Sequence, residues 1–179
     1  MVKRDFGHPY AALSGIGLLI LTACATPPLN RNDPGFPAGT VMSLNQPVKI
    51  SAGQVGGYMR GGGSTETRQQ DETTCRLETR TVQKAAATIE PDQFEVLGTS
   101  HDRDGLSGSG YSGGFGGGFY SIGDGPGLVY VNYYIYLQST RQPDVFRLKC
   151  SQLQDDYRLG TLTPQQIEYV LGDAMTVER

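Results

Sequence analysis

Two segments of this chain alternate apolar and polar residues, and each carries a cysteine on its apolar side. In residues 74–82, Cys75 shares a side with Leu77, while Arg76, Glu78 and Arg80 point the other way. In residues 145–153, Cys150 joins Phe146 and Leu148, while Arg147 and Lys149 point outward. A period of two is the signature of a strand with one buried face, and slipping either strand by one residue would expose its cysteine. The chain is therefore bound to a sheet with a core on one side and a charged face on the other.

The rest of the chain reads consistently with that sheet. Leu128–Gln138 is rich in β-formers on both sides: Val129, Val131, Tyr133, Ile135 and Leu137 on one, Tyr130, Asn132, Tyr134 and Tyr136 on the other. Such a segment suits a central strand, and the turn at 139–144 makes it a hairpin with 145–153. Short strands are expected within 40–50, broken at Pro47, and a weak one around Val55, Tyr58 and Met59. Residues 84–87 read as a connection with room for one helical turn. A further strand spans 93–100, after the turn chemistry of Pro91-Asp92. Near the end, Thr163, Pro164 and Gln166 form a capping box ahead of Ile167, Val170 and Leu171, and Gly172 supplies a stop. Residues 174–177 suit a last edge strand. The expected fold is mainly β, an antiparallel β-sandwich or partly open barrel with one short C-terminal helix.

The first residues have a different character. Lys3 and Arg4 precede an apolar run over 11–22, which ends in Leu21-Thr22-Ala23-Cys24. A positive start, a short apolar run and small residues are the layout of an export signal, and the run is too short to span a bilayer. With a cysteine at the cleavage point, the stretch resembles the lipobox of bacterial lipoproteins. The resemblance covers about the first 28 residues and implies cleavage before Cys24, lipid on that cysteine and attachment to a membrane. Ala25 stands where an Asp would favour inner-membrane retention, which implies the outer membrane, facing the periplasm. The organisation then follows: signal peptide 1–23, a lipidated flexible tether 24–39 rich in Pro, Asn and Gly, and one β-rich periplasmic domain 40–179 with a Gly-rich loop at 105–127.

On that reading Cys24 takes lipid, and Cys75 and Cys150 remain as a pair in an oxidising compartment, where a disulfide is the default. Two buried free thiols, or thiols reserved for redox work, are the alternatives. The mature chain, 24–179, keeps 13 basic and 17 acidic residues, a net charge near −4. Such mild acidity does not suit a nucleic-acid binder, which needs a basic excess.

Candidate chemistry is sparse. Arg76, Arg80, Arg147 and Lys149 could line up as a basic stripe if the two cysteine strands are neighbours, suited to lipid phosphates or an acidic partner. Tyr130, Tyr134 and Tyr136 form a row that could pack as a second layer or serve as an aromatic platform. His101-Asp102-Arg103-Asp104-Gly105 reads as a turn, because it lacks the third acidic ligand and distal Glu of a calcium loop. His101 is the sole histidine beyond the signal, so neither a His-based zinc site nor a Ser-His-Asp set is expected. Asp155 and Asp156 read as part of a turn. The Gly-rich loop, with glycine at 11 of its 23 positions, reads as a disordered connection or an aromatic contact loop.

No cofactor, metal or catalytic set is expected. The role expected from this address is a non-enzymatic accessory or scaffold in envelope assembly or maintenance, held to the membrane by Cys24 lipid and contacting an envelope protein. The alternative is a small binding module for a lipid, glycan or peptidoglycan fragment. A hydrolase is the third reading.

Overall fold

The computed structural model describes residues 29–65, 72–105, 128–155 and 160–178. In chain order the strands are β1 (Val41–Leu44), β2 (Val48–Ile50), β3 (Gly56–Arg60), β4 (Gly63–Thr65), β5 (Thr74–Thr79), β6 (Ala87–Ile89), β7 (Asp92–Gly105), β8 (Leu128–Gln138) and β9 (Val145–Asp155). Helix α1 (Pro164–Leu171), a 3-10 turn (Gly172–Ala174) and β10 (Met175–Glu178) follow. Eight strands form one antiparallel sheet, ordered β10-β1-β7-β8-β9-β5-β3-β4, which curls into a half barrel. The fold is mainly β with one short C-terminal helix, the partly open barrel rather than the sandwich.

The two ends of the sheet are bridged by the C-terminal helix. Helix α1 packs against β10 at one end and against β3 and β5 near the other, and Gly62 N donates to Val170 O at 3.2 Å. Its cap is the expected box: Thr163 Oγ1 accepts from Gln166 N at 3.3 Å, and Gln166 Oε1 accepts from Thr163 N at 2.8 Å. This satisfies helix-start donors that would otherwise have no intrahelical partner. Ile167, Val170 and Leu171 then complete a core with Met42, Phe94, Val96, Ile135, Leu137, Met59, Leu77 and Leu148.

A separate two-stranded ribbon, β2 with β6, places Val48, Ile50 and Ile89 in that core. It crosses β3 so closely that a Cβ on Gly57 would lie 2.2 Å from Lys49 O, so only glycine fits there. Residues 84–86 are the expected connection, with no helical turn, and lead into β6 at Ala87. Strand β6 is made by a long-range pairing, between Val48 and Ile89, 41 residues apart.

Cys75 and Cys150 face each other across β5 and β9 with a Cα separation of 4.0 Å, and they form a disulfide. Both are fully buried, on the core side of their strands. A bulge between Glu78 and Thr79 shifts the register beyond that point, so Val145, not Phe146, enters the core.

Two further expectations are corrected. Residues 101–104 are strand, not turn: β7 runs on to Gly105, with His101 opposite Tyr133, Asp102 opposite Asn132, Arg103 opposite Val131 and Asp104 opposite Tyr130. The long ladder to β8 overrides the turn preference of two aspartates. The tether does not extend to residue 39. Asn30 and Thr99 exchange backbone hydrogen bonds of 2.8 and 3.0 Å, Phe36 is fully buried with its ring 5.8 Å from that of Tyr133, and Gly39 N donates to Val96 O at 2.8 Å. An apolar side chain the size of Phe36 gains a few kcal/mol by burial, about 2–3 kcal/mol, which helps dock this segment. The expected signal peptide, Cys24, residues 106–127 of the Gly-rich loop and Asp156 lie outside the described residues.

Candidate ligand-binding face

On the face turned away from the core, the strand register assembles the candidate residues from β8, β9 and β5 into rows. Tyr136 is opposite Arg147, and Arg147 is opposite Glu78. One step along, Ser100, Tyr134, Lys149, Arg76 and Tyr58 run across β7, β8, β9, β5 and β3. The next row is Asp102, Asn132, Ser151 and Thr74. The tyrosines and the cations, read from the sequence as two separate features, thus share one surface.

Glu78 organises the cations. Its side chain is only 1 % exposed. Oε1 accepts from Arg76 Nε at 2.7 Å and from the terminal guanidinium nitrogen of the same arginine, while Oε2 accepts from Arg147 Nε at 2.5 Å. Burial works against the charge of both arginines, but Glu78 more than offsets it, and both pKa values are raised. The Arg147 guanidinium lies 4.8 Å and Lys149 Nζ 5.3 Å from the centre of the Tyr134 ring, so one aromatic ring serves two cations.

The carboxylates of β7 hold the other side. Tyr134 donates its hydroxyl to Asp102 Oδ2 at 2.9 Å; burial first, then Asp102, raises the phenol pKa. Asn132, fully buried, donates to Asp102 at 2.6 Å and Asp104 at 2.8 Å, and accepts from Ser151 Oγ at 2.7 Å. Every polar atom of that amide is used, as a buried polar network requires.

Between β3, β5 and β9 the face sinks into a pit of about 70 Å³ lined by Tyr58, Thr74, Arg76, Lys149 and Ser151. Lys149 is half-buried, and among the described residues no carboxylate comes within ion-pair distance of it. Burial lowers its pKa, opposed by the more distant Asp104, Glu78 and Asp102.

Two of the expected site residues fall outside this arrangement. Arg80 lies past the end of β5 and is exposed, with its guanidinium 5.3 Å above the Phe146 ring, because the bulge at Glu78 and Thr79 takes it off the row. Tyr130 sits one row beyond Asn132, opposite Asp104 and Leu153, away from the pit. The tyrosines make no open platform, since Tyr134 is 7 % exposed beneath its neighbours. Sequence reasoning missed Tyr58, Asn132, Asp102, Asp104, Thr74 and Ser151. For Asn132 the signal was available, as a polar residue among tyrosines on a strand with two apolar-rich sides.

His101 lies elsewhere. It points to the other side of β7, with Nε2 3.6 Å from Asp33 Oδ2 and its ring 4.2 Å from that of Tyr133. Asp33 accepts from Thr99 Oγ1 at 3.1 Å, Gly35 N at 2.8 Å and Phe36 N at 3.2 Å. Burial would raise the Asp33 pKa, yet the neighbouring Tyr133 hydroxyl, the hydrogen bonds from these two amides and that from Thr99 prevail and lower it. The hydroxyl of Thr99 is thus directed at the carboxylate, whereas a nucleophile would be directed at the imidazole.

Among the described residues, no group of three or more His, Cys, Asp or Glu gathers to hold a metal ion. The chain matches no family model, no curated protein and no solved structure. Its chemistry is read from these side chains alone.

Proposed function

We propose that this protein is an exported lipoprotein, anchored through Cys24 in the outer membrane and facing the periplasm, whose domain acts by binding and not by catalysis. Of the two non-enzymatic roles expected, the geometry favours the binding module, with an envelope lipid, glycan or peptidoglycan fragment as ligand. The observation that carries this is the pit between Arg76 and Lys149, floored by hydroxyl-bearing residues on a face of otherwise satisfied polar groups. A scaffold needs a broad contact patch. Among the described residues the large exposed apolar ones, Val82, Leu128 and Tyr169, lie in separate places: between β5 and β6, in β8 and in α1. An accessory contact with an envelope protein remains the second role, and it would be made by other surfaces.

The test has two arms. Cells fed labelled palmitate should label the wild-type protein and not Cys24→Ser. The full-length protein in detergent micelles, immobilised, should retain a lipid or glycan component from solubilised envelopes and lose it in Lys149→Gln. The exposed-cation control Lys84→Gln should retain it. Equal retention by Lys149→Gln and wild type would move the binding site off this face.

A further inference from the structure

Arg76 and Lys149 are register partners on adjacent strands, so two cations stand directly opposite each other on a half-buried face. Like charges in that relation destabilise a sheet. Arg76 is paired with Glu78, whereas Lys149, among the described residues, has the Tyr134 ring beside it and carboxylates only beyond ion-pair distance. The pit opens between these two cations. Its hydroxyls divide by role. Ser151 commits its proton to Asn132 at 2.7 Å and Thr74 to Glu72 O at 3.3 Å. Tyr58 accepts from the Arg76 guanidinium at 3.4 Å, which leaves its own proton free to point outward. The donors facing the pit are therefore the Lys149 ammonium, the remaining guanidinium N–H groups of Arg76 and the Tyr58 hydroxyl.

Resting on the binding-module reading, we infer that this pit is an oxyanion site that takes the phosphate group of an envelope constituent. Three donors converging from β3, β5 and β9 suit a tetrahedral group with several acceptor oxygens better than a planar carboxylate with two. Water can enter a space of this size, but water cannot neutralise the opposed cations. A phosphate oxygen between them turns their repulsion into two charge-assisted hydrogen bonds. Asp102 and Asp104 stay engaged with Asn132 and Tyr134, so binding need not displace any existing ion pair.

The probes are inorganic phosphate, sodium acetate at matched ionic strength, N-acetylglucosamine, and vesicles of phosphatidylcholine with or without phosphatidylglycerol. The protein is the full-length chain in detergent micelles, or reconstituted for the vesicle arm. Phosphate should raise the unfolding temperature of wild type more than acetate does. Lys149→Gln and Tyr58→Phe should weaken the apparent phosphate affinity, Lys149→Gln by about tenfold or more. Lys149→Gln without phosphate should unfold no earlier than wild type, because it removes a like-charge contact; this checks that the variant is folded. Phosphatidylglycerol-dependent binding lost in Lys149→Gln would identify a lipid headgroup as the source, and its absence beside a phosphate response would identify a soluble phosphate. No stabilisation by phosphate, or equal stabilisation of Lys149→Gln, would overturn the inference. If N-acetylglucosamine alone then bound in a Lys149-dependent way, the binding-face reading would survive with a glycan ligand. If none of the probes bound and Lys149→Gln lost no envelope component, both would fail.

Discussion

Glu78 joins Arg76 and Arg147 across the β5–β9 pair, giving one carboxylate oxygen to each guanidinium from a position with almost no solvent contact. A lone carboxylate buried to that degree would be costly, and so would two half-buried arginines without it.

Replacing Glu78 by Gln keeps the shape and removes the charge. The loss should be about 3 kcal/mol, since a buried pair broken on one side leaves its partners uncompensated. Urea unfolding of wild type and Glu78→Gln measures it. A change below about 0.5 kcal/mol, the scale of an ordinary surface substitution, would mean that solvent already screens the pair.

The disulfide closes a loop with a sequence separation of 75 residues. In the chain-entropy model its removal should cost about 4 kcal/mol. The Cys75→Ala, Cys150→Ala double variant should therefore unfold at a clearly lower urea concentration than the oxidised protein. Adding reductant should shift wild type toward the variant and leave the variant itself unchanged.

Asp33 sets an acid limit on the docked segment. Its pKa is lowered in the folded protein, as is that of Asp92, where hydrogen bonds from Ser139, Gln142 and Gln93 N and the Arg141 charge outweigh burial. For a lowered carboxylate, the added stability is present above the unfolded pKa, about 3.9, and is lost as pH falls through the folded value. Stability should thus be flat in these two groups above about pH 5 and decline below about pH 4. Asp33→Asn should show a smaller decline over that window than wild type. Urea midpoints measured from pH 6 down to pH 2 would decide it, and an identical slope in the variant would remove Asp33 from the account.

Gly98 sits in the bulge of β7 with φ at +147°, and a Cβ there would lie 3.1 Å from both Asn30 O and Leu29 Cβ. Gly98→Ala should cost about 1–2 kcal/mol from backbone strain. It should also loosen the Asn30–Thr99 bridge. Limited proteolysis should then cut within residues 30–39 faster than in wild type, with the rest of the domain still resistant.

The Gly98 bulge also explains why part of the site was illegible. On β7, Phe94 and Val96 are buried, and so is Thr99, three residues on from Val96. The register slips between Val96 and Gly98. Simple alternation carried forward from Phe94 and Val96 therefore sends Asp102 and Asp104 toward the core and His101 away from it. Gly98 inside the strand is a local sign of a bulge, but nothing local shows that the strand continues past it to Gly105. On β5 and β9, by contrast, alternation runs unbroken through Cys75, Leu77, Leu148 and Cys150, and there the burial and the pairing of cysteines were legible.

Strand periodicity, the cap of α1, the side of the sheet each cysteine occupies and the mainly β class can all be read along the chain, because they depend on neighbours within a few residues. Tertiary structure alone decided that β2 and β6 pair, that Phe36 and Asp33 belong to the domain, and that Arg80 leaves the cation row while Tyr58 and Thr74 join Arg76 and Lys149 around a pit. Those outcomes depend on strand order and on bulges at Gly98 and Glu78, where one residue of register redirects every side chain that follows.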